Sequence, residues 1–224
     1  MQRPELIALD LDGTLVDSAP DLAYAVEQML VRLEKPAVTH EQVRGWIGNG
    51  VNMLVKRALT GRMEAEENPQ GFERALQVFS GIYEQNISDR GTLYPGVLDG
   101  LRQLKSEGFV LTCLTNKHSR FTHSLLDKTG LSEFFDFVVC GDTFEQRKPH
   151  PMPLLKTAER FNADPTASVM VGDSINDIKA AKAAGFKAVC VPYGYKGKYS
   201  VDELAADHVV NSLAELPALF AQAA

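Results

Sequence analysis

The sequence predicts an α/β fold: a mainly parallel sheet covered by helices on both faces and interrupted after its first strand by an all-helical insert. Three observations carry this prediction. A short apolar run at Leu6–Leu9 ends abruptly in Asp10, Asp12 and a Gly13-Thr14 turn, as a buried strand running into a loop does. Residues 18–88 then carry apolar side chains at helical spacing only. From Pro95 onward short apolar runs alternate with amphipathic stretches, the pattern of parallel strands joined by crossover helices. The 224 residues, 45% of them hydrophobic, suffice for one large domain or for a domain with a substantial insert.

The elements follow in order. Leu22, Val26, Met29, Leu30 and Leu33 recur at helical spacing behind Ser18 or Asp21 as a cap, and Pro36 stops that helix after Lys35. A short helix is predicted at 41–47. After Gly48-Asn49-Gly50 comes another, with Val51, Leu54, Val55, Ala58 and Leu59 on one face. Residues 61–70 are polar and read as a loop, and Phe72, Leu76, Phe79, Ile82 and Tyr83 form the next apolar stripe. Beyond Pro95, helices are predicted near 97–106, 120–129, 152–161, 175–184 and 213–222. Strands are predicted at 109–114, 137–140, 168–171 and 187–191, with a weak one at 207–210. The core domain is then 1–17 plus 90–224 and the cap domain 18–89, about 70 residues and within the range of a small domain. Two crossings join them, at 16–20 and 89–95; both contain Pro or Gly and are the expected hinges.

Composition narrows the function. A net charge of -6, a pI near 5.4 and the absence of any Lys/Arg block argue against nucleic acid as a partner, while a locally positive site for a small anion remains compatible. The N-terminal Met-Gln-Arg-Pro-Glu enters the first strand directly, which leaves no room for a signal peptide. No run reaches the roughly 18 apolar residues of a membrane span, so a cytoplasmic protein with no membrane partner is expected, as monomer or homodimer. Cys113, Cys140 and Cys190 lie in apolar runs without CxxC spacing and read as buried thiols.

In an open parallel sheet, ligands collect beyond the carboxyl ends of the strands, so polar residues just after apolar runs matter most. Here they are Asp10 and Asp12, Thr115-Asn116, and Gly172-Asp173-Ser174-Ile175-Asn176-Asp177, to which a later loop adds Arg147-Lys148-Pro149. Side chains two apart in a strand share a face, so Asp10 and Asp12 are expected side by side, where two ionised carboxylates need a cation or strong donors. Asp10, Asp12, Asp173 and Asp177 bring hard oxygen ligands to one crevice, a set that selects Mg²⁺ over zinc. Gly13, Thr14, Thr115, Asn116 and Lys148 supply donors suited to the oxygens of a small anionic phosphoester. A carboxylate attacking a phosphate dianion meets a repulsion of about 4 kcal/mol per charge pair at about 4 Å in an effective dielectric of about 20. A divalent ion and Lys148 neutralise charge where the two meet.

The motifs Asp10-Leu11-Asp12-Gly13-Thr14, Thr115-Asn116, Lys148-Pro149 and Gly172-Asp173-Ser174 with Asn176-Asp177 resemble those of the haloacid dehalogenase superfamily. Over residues 6–217 the chain is similar to its phosphatases with a helical cap inserted after the first strand. The resemblance implies a Rossmann-like, three-layer core, Mg²⁺ as cofactor, and Asp10 as the nucleophile that forms an aspartyl-phosphate. It implies that Asp12 protonates the leaving alkoxide and later activates water, so that one acid attacks while its neighbour handles the proton. It further implies that Thr115 and Lys148 hold the phosphoryl oxygens. Asp10, the backbone carbonyl of Asp12 and Asp173 would then bind Mg²⁺, and Asp177 would steady these ligands or Lys148 from behind. Within the superfamily, Asp17-Ser18-Ala19-Pro20, Trp46-Ile47-Gly48-Asn49-Gly50 and Tyr193-Gly194-Tyr195 are most similar to the bacterial phosphoglycolate phosphatases, which implies conversion of 2-phosphoglycolate to glycolate and phosphate. The alternatives are a sugar-phosphate mutase of the β-phosphoglucomutase type and a phosphatase for another small phosphoacid or sugar phosphate. A dehalogenase is disfavoured, because a halide leaving group needs neither Asp12 nor the Mg²⁺ acids.

The leaving group must be read by the cap. Gly48-Asn49-Gly50 precedes a helix whose N-terminal N–H groups attract anions, and with Arg44, Lys56 or Arg57 this loop is expected to meet the substrate carboxylate. The plainer reading makes Asn49 a helix cap between two turn glycines. Trp46 reads as cap core or a cap-to-core contact rather than a substrate platform, and His118, His123 and His150 as loop residues without ligand spacing. Residues 193–198 read as a loop at the rim of the core with solvated lysines.

Overall fold

The computed structural model describes residues 1–221 apart from 66 and 198; Gln222, the predicted end of the last helix, and Lys198 therefore lie outside the described residues. In chain order the elements are β1 (Leu6–Leu9), β2 (Val16–Asp17), α1 (Ala19–Arg32), α2 (His40–Trp46), α3 (Val51–Thr60), α4 (Phe72–Gln85), β3 (Thr92–Leu93), α5 (Val97–Ser106) and β4 (Leu111–Leu114). There follow α6 (Ser119–Thr129), β5 (Phe137–Val139), α7 (Met152–Phe161), β6 (Ser168–Gly172), α8 (Ile175–Ala184), β7 (Lys187–Cys190), α9 (Val201–Leu204), β8 (His208–Val209) and α10 (Leu216–Ala221).

Six strands form one parallel sheet in the order β5-β4-β1-β6-β7-β8, with Ile7 of β1 opposite Leu111 on one side and Val169 on the other. The chain builds outward on one side of β1, then crosses to the other, so the strand order reverses between β1 and β6. A crevice opens at such a reversal, beyond the strands' carboxyl ends. The two-residue period of the strands sorts the interior into two faces. Ile7, Leu9, Cys113 and Val171 pack against α5, α6 and α10 through Leu101, Leu125 and Phe220. Leu6, Ala8, Met170 and Ala188 pack against α7 and α8 through Leu154, Ala158 and Ala181. The predicted α/β fold, a parallel sheet between two helical layers, is the one observed.

α1–α4 form the helical insert, and the first apolar cluster runs on into it through Leu11, Leu15, Leu22, Val26, Leu54 and Phe79. The two chain crossings are paired with each other: β2 and β3 form an antiparallel ribbon, Val16 opposite Leu93 and Asp17 opposite Thr92. The expected hinges are thus joined by backbone pairing. Asp21 proves not to cap α1 but to clamp this junction. Fully buried, it accepts from the backbone N–H groups of Arg90 at 2.8 Å and of Ser88 and Gly91 at 3.1 Å. Ser18 stands at the N-cap of α1, yet its hydroxyl is turned to Asp12. Trp46 is buried among the cap's apolar residues, as expected, and so are all three thiols within the core. Among the described residues, no helix is long and apolar enough to cross a membrane.

Candidate active site

β1 ends at Leu9, and Asp10 is anchored beside β6 by its backbone N–H, which donates to the Val171 carbonyl at 2.9 Å. Its carboxylate meets Lys148 at 2.9 Å, and Lys148 meets Asp177 at 2.6 Å. The Lys148 ammonium, 1% exposed, also donates to the Leu114 carbonyl at 2.6 Å. Asp177 in turn accepts from the Ser174 N–H at 3.0 Å and its hydroxyl at 2.6 Å, which ties Lys148 to the start of α8. Lys148 is thus placed by three strand ends at once.

Asp12 lies beyond the strand, so its position does not follow from strand alternation, and it has a different cation. Both its oxygens lie 3.0 Å from the Lys117 ammonium, and the Ser18 hydroxyl donates to it at 2.6 Å. Lys117 also donates to the Tyr83 hydroxyl of α4 at 2.6 Å, so a residue of the cap holds the partner of a core acid. The cations expected beside the two acids are thus two lysines, one for each acid.

Asp173 accepts from the Thr14 hydroxyl at 2.8 Å and from the Tyr195 N–H. Gly13, at φ +91°, passes so close that a methyl there would collide with the Asp173 carboxylate. Oxygens of Asp10, Asp173 and Asp177 come within 4.8 Å of one another, a set able to hold a metal ion. Among the described residues Lys148 pairs with two of them, Asp10 and Asp177; with all three acids ionised, one lysine would leave an excess of two negative charges, which a hard divalent ion such as Mg²⁺ matches. The Asp12 carboxylate is not in this set.

The electrostatics follow the burial. Desolvation, assisted by Asp177, pushes the Asp10 carboxyl up to about 7 even though Lys148 pulls it down. Burial and then the charges of Asp177 and Asp10 hold the Asp173 carboxyl well above the usual range. Burial works against the charge on Lys148 and Lys117, yet the adjoining carboxylates outweigh it and both ammonium groups are held above their ordinary value. Protons and a divalent ion would therefore compete for the oxygens of Asp10 and Asp173.

Several predicted donors are already engaged. The Thr14 hydroxyl is spent on Asp173, and the Gly13 N–H on the Val16 carbonyl at 2.9 Å, so neither is free for a phosphate. The Asn116 side-chain amide donates to the Lys148 carbonyl at 2.8 Å and to that of Gly48 at 3.1 Å, so its NH₂ group is a clasp between core and cap. Asn176 donates to the same Gly48 carbonyl at 3.1 Å. Thr115 keeps its place, with its hydroxyl oxygen accepting from the Lys117 N–H at 3.2 Å beside the cavity over Asp10.

That cavity, of about 40 Å³, is walled by Asp10, Asp12, Thr115 and Lys117 below and by cap residues including Gly48 and Leu54 above. It has room for only a few waters. Gly48 and Gly50 line it, but Asn49 does not; its side-chain amide oxygen accepts from the Arg57 guanidinium at 3.0 Å. None of the three predicted cap cations reaches this cavity. Arg57 is buried on the Trp46 and Met63 carbonyls, Arg44 pairs with Asp17 at 3.3 Å, and Lys56 lies 5.6 Å from the Phe72 ring centre. The cation present is Lys117, whose place in the sequence, directly after Thr115-Asn116, was the only signal for it. Tyr195 was also missed. It is a buried strap: besides its N–H on Asp173, its hydroxyl donates to Asp17 at 2.6 Å and accepts from the Ala19 N–H at 2.9 Å. The three histidines take no part: His118 and His150 accept from nearby backbone N–H groups, and His123 is exposed on α6.

Comparison with known proteins agrees with this geometry. Residues 7–191 match the family model described as haloacid dehalogenase-like hydrolase. Over 224 residues, all of both chains, the sequence is 45% identical to a phosphoglycolate phosphatase of Nitrosococcus oceani. It is 45% identical over 209 residues to that of Thiobacillus denitrificans, covering 93% of this chain and 92% of the relative. A crystal structure from Haemophilus somnus, named as a predicted phosphoglycolate phosphatase, superposes with a TM-score of 0.91 at 32% identity, covering 98% of this chain and 99% of the other. A reversal of strand order that gathers Asp10, Lys148 and Asp173, and a sequence match spanning nearly all of the sheet, lead to one conclusion: the chain belongs to the haloacid dehalogenase-like hydrolase family.

Proposed function

We propose that this hydrolase cleaves small phosphomonoesters through an aspartyl-phosphate on Asp10, with 2-phosphoglycolate as its substrate and glycolate and phosphate as products. The observation that carries the reading is Asp10 itself, fixed at the reversal point of the sheet against Lys148 and beside two further acids. The substrate follows from the names of the relatives at 45% identity along the chain. An Asp10 oxygen attacks phosphorus, the ester P–O bond breaks, and the leaving oxygen takes a proton from Asp12. Water then attacks the same phosphorus while Asp12 takes its proton back, releasing phosphate and restoring Asp10. Ser18 and Lys117 orient the Asp12 carboxylate for both proton transfers. Thr115 and Lys148 face the phosphoryl oxygens.

Asp10, Asp173 and the Asp12 carbonyl would hold Mg²⁺, with Asp177 bracing Lys148; the ion supplies positive charge to the phosphoryl oxygens. The proposed division of labour gives chemistry to residues 1–17 and 90–224 and choice of leaving group to the cap, 18–89. Cap residues Ile47, Gly48, Val51 and Leu54 wall the cavity, so opening of the cap is the proposed route of substrate entry. The setting proposed is the cytoplasm, where thiols such as the three buried here stay reduced. A phosphate-release screen over small phosphoacids, sugar phosphates and nucleotides, ranked by kcat/KM, tests the substrate: 2-phosphoglycolate is expected first, and a sugar phosphate in that place refutes it. Asp10→Asn is expected to abolish turnover, and retained activity refutes the nucleophile.

A further inference from the structure

We infer that Lys117, a core residue, reads the charged end of the leaving group and is held for that task by Tyr83 of the cap; this deepens the phosphomonoesterase reading above and rests on it. Position comes first. A residue that hands a proton to the ester oxygen must lie within about 2.6–3.2 Å of it. The Lys117 ammonium is 3.0 Å from both oxygens of Asp12. Atoms one or two bonds beyond the ester oxygen can therefore be brought within ion-pair reach of that ammonium. The carboxylate carbon of 2-phosphoglycolate stands two bonds beyond.

The rest of the cavity offers this carboxylate nothing comparable. Toward the cap the wall is apolar, made by Leu22, Ile47, Val51 and Leu54, and Lys117 is the cation among its described lining residues. Lys117 is itself nearly inaccessible, and its three N–H groups are directed at the two Asp12 oxygens and the Tyr83 hydroxyl. An arriving carboxylate takes over one of the two Asp12 contacts. The ammonium exchanges one anionic partner for another and is never left buried without one, so little is lost in the exchange.

Tyr83 keeps the ammonium in register. It is fully buried, stacked on Phe79 at 5.6 Å and edge-on to Phe121 at 5.2 Å, and its ring centre lies 4.8 Å from the ammonium. A side chain so wedged cannot follow a displaced lysine, so a seated cap and a placed Lys117 go together.

The experiment compares kcat/KM for 2-phosphoglycolate with kcat/KM for 2-hydroxyethyl phosphate, in which an uncharged CH₂OH replaces the carboxylate. The wild type is expected to prefer the former. Lys117→Met should lower that preference on the order of 100-fold, the loss typical of truncating one partner of a buried charge pair. Lys117→Arg should recover most of it. Tyr83→Phe, which keeps the ring packing, should lower it about 5-fold through one lost hydrogen bond. A wild type that treats both substrates alike defeats the substrate reading and this inference with it. A wild type that discriminates, while Lys117→Met loses the same factor on both substrates, overturns this inference alone and leaves Lys117 as a holder of Asp12. Should Lys117→Met fail to fold, an unchanged preference in Tyr83→Phe overturns it equally.

Discussion

Replacing Lys148 by Met is the sharpest test of the electrostatic design. The ammonium is 1% exposed and stands 2.9 Å from Asp10 and 2.6 Å from Asp177, so its removal strands two buried acids. Breaking a buried pair by deleting one partner costs about 3–5 kcal/mol. For a chain of this size each kcal/mol moves Tm by about 2–4 °C, which predicts a drop of about 6–20 °C. The loss must depend on pH with a definite sign. Burial already holds the Asp10 carboxyl at about 7 although Lys148 lowers it, and without Lys148 it rises further. A carboxyl raised in the folded state above its unfolded value of about 3.9 binds more protons when folded. Its stabilising contribution is whole below that unfolded value and is lost as pH climbs through the folded one. The deficit of the variant, measured against wild type by thermal unfolding without Mg²⁺, is therefore small at pH 5 and full at pH 8. A deficit under about 2 °C at pH 8, or one equal at both pH values, refutes the reasoning.

Three further outcomes follow from the same geometry. Mg²⁺ must displace protons from Asp10, raised to about 7, and from Asp173, so its apparent Kd should weaken as pH falls below 7, by about tenfold per pH unit for each proton displaced; calorimetric titration in two buffers reads this proton release. Asp21→Ala removes the acceptor of three backbone N–H groups at the cap junction and should lower Tm by about 6–12 °C while exposing residues 88–91 to limited proteolysis; an unchanged Tm excludes the clamp. Asn176→Ala loosens the cap without touching the chemistry, because Asn116 still holds the Gly48 carbonyl. It should lower kcat/KM about 2- to 10-fold with Tm shifted by less than about 3 °C, and steady-state rates identical to wild type would dismiss the clasp.

Much of the fold was readable in advance because helical and strand periodicity are local. α7 and α8 begin and end where the apolar spacing of 152–161 and 175–184 placed them. β2, β3 and α9 escaped notice because two or four residues are too few to display a period. At the site, Asp10, Thr115, Asp173 and Asp177 were legible because each closes or follows an apolar run, and the sheet brings such positions together, whereas Lys148 stood out only as the cation of a later loop. The engagement of Thr14 and Asn116 was not legible, since both types donate equally well to a ligand or to the protein. The cap cations misled for a related reason: Arg57 on a helix face looks available until its carbonyl partners are seen.

By itself, then, the sequence determined the layers of the fold, the four loops that meet at the crevice and the kinds of groups they bring, since all of these depend on spacing along the chain. Only the tertiary structure decided which donors are spent, which lysine answers which acid, and that Asp21 and Tyr195 tie the cap to the core. Those outcomes depend on distances between residues far apart in sequence: Lys117 and Asp12 are 105 positions apart, Tyr195 and Asp17 178, and no local pattern records that they touch.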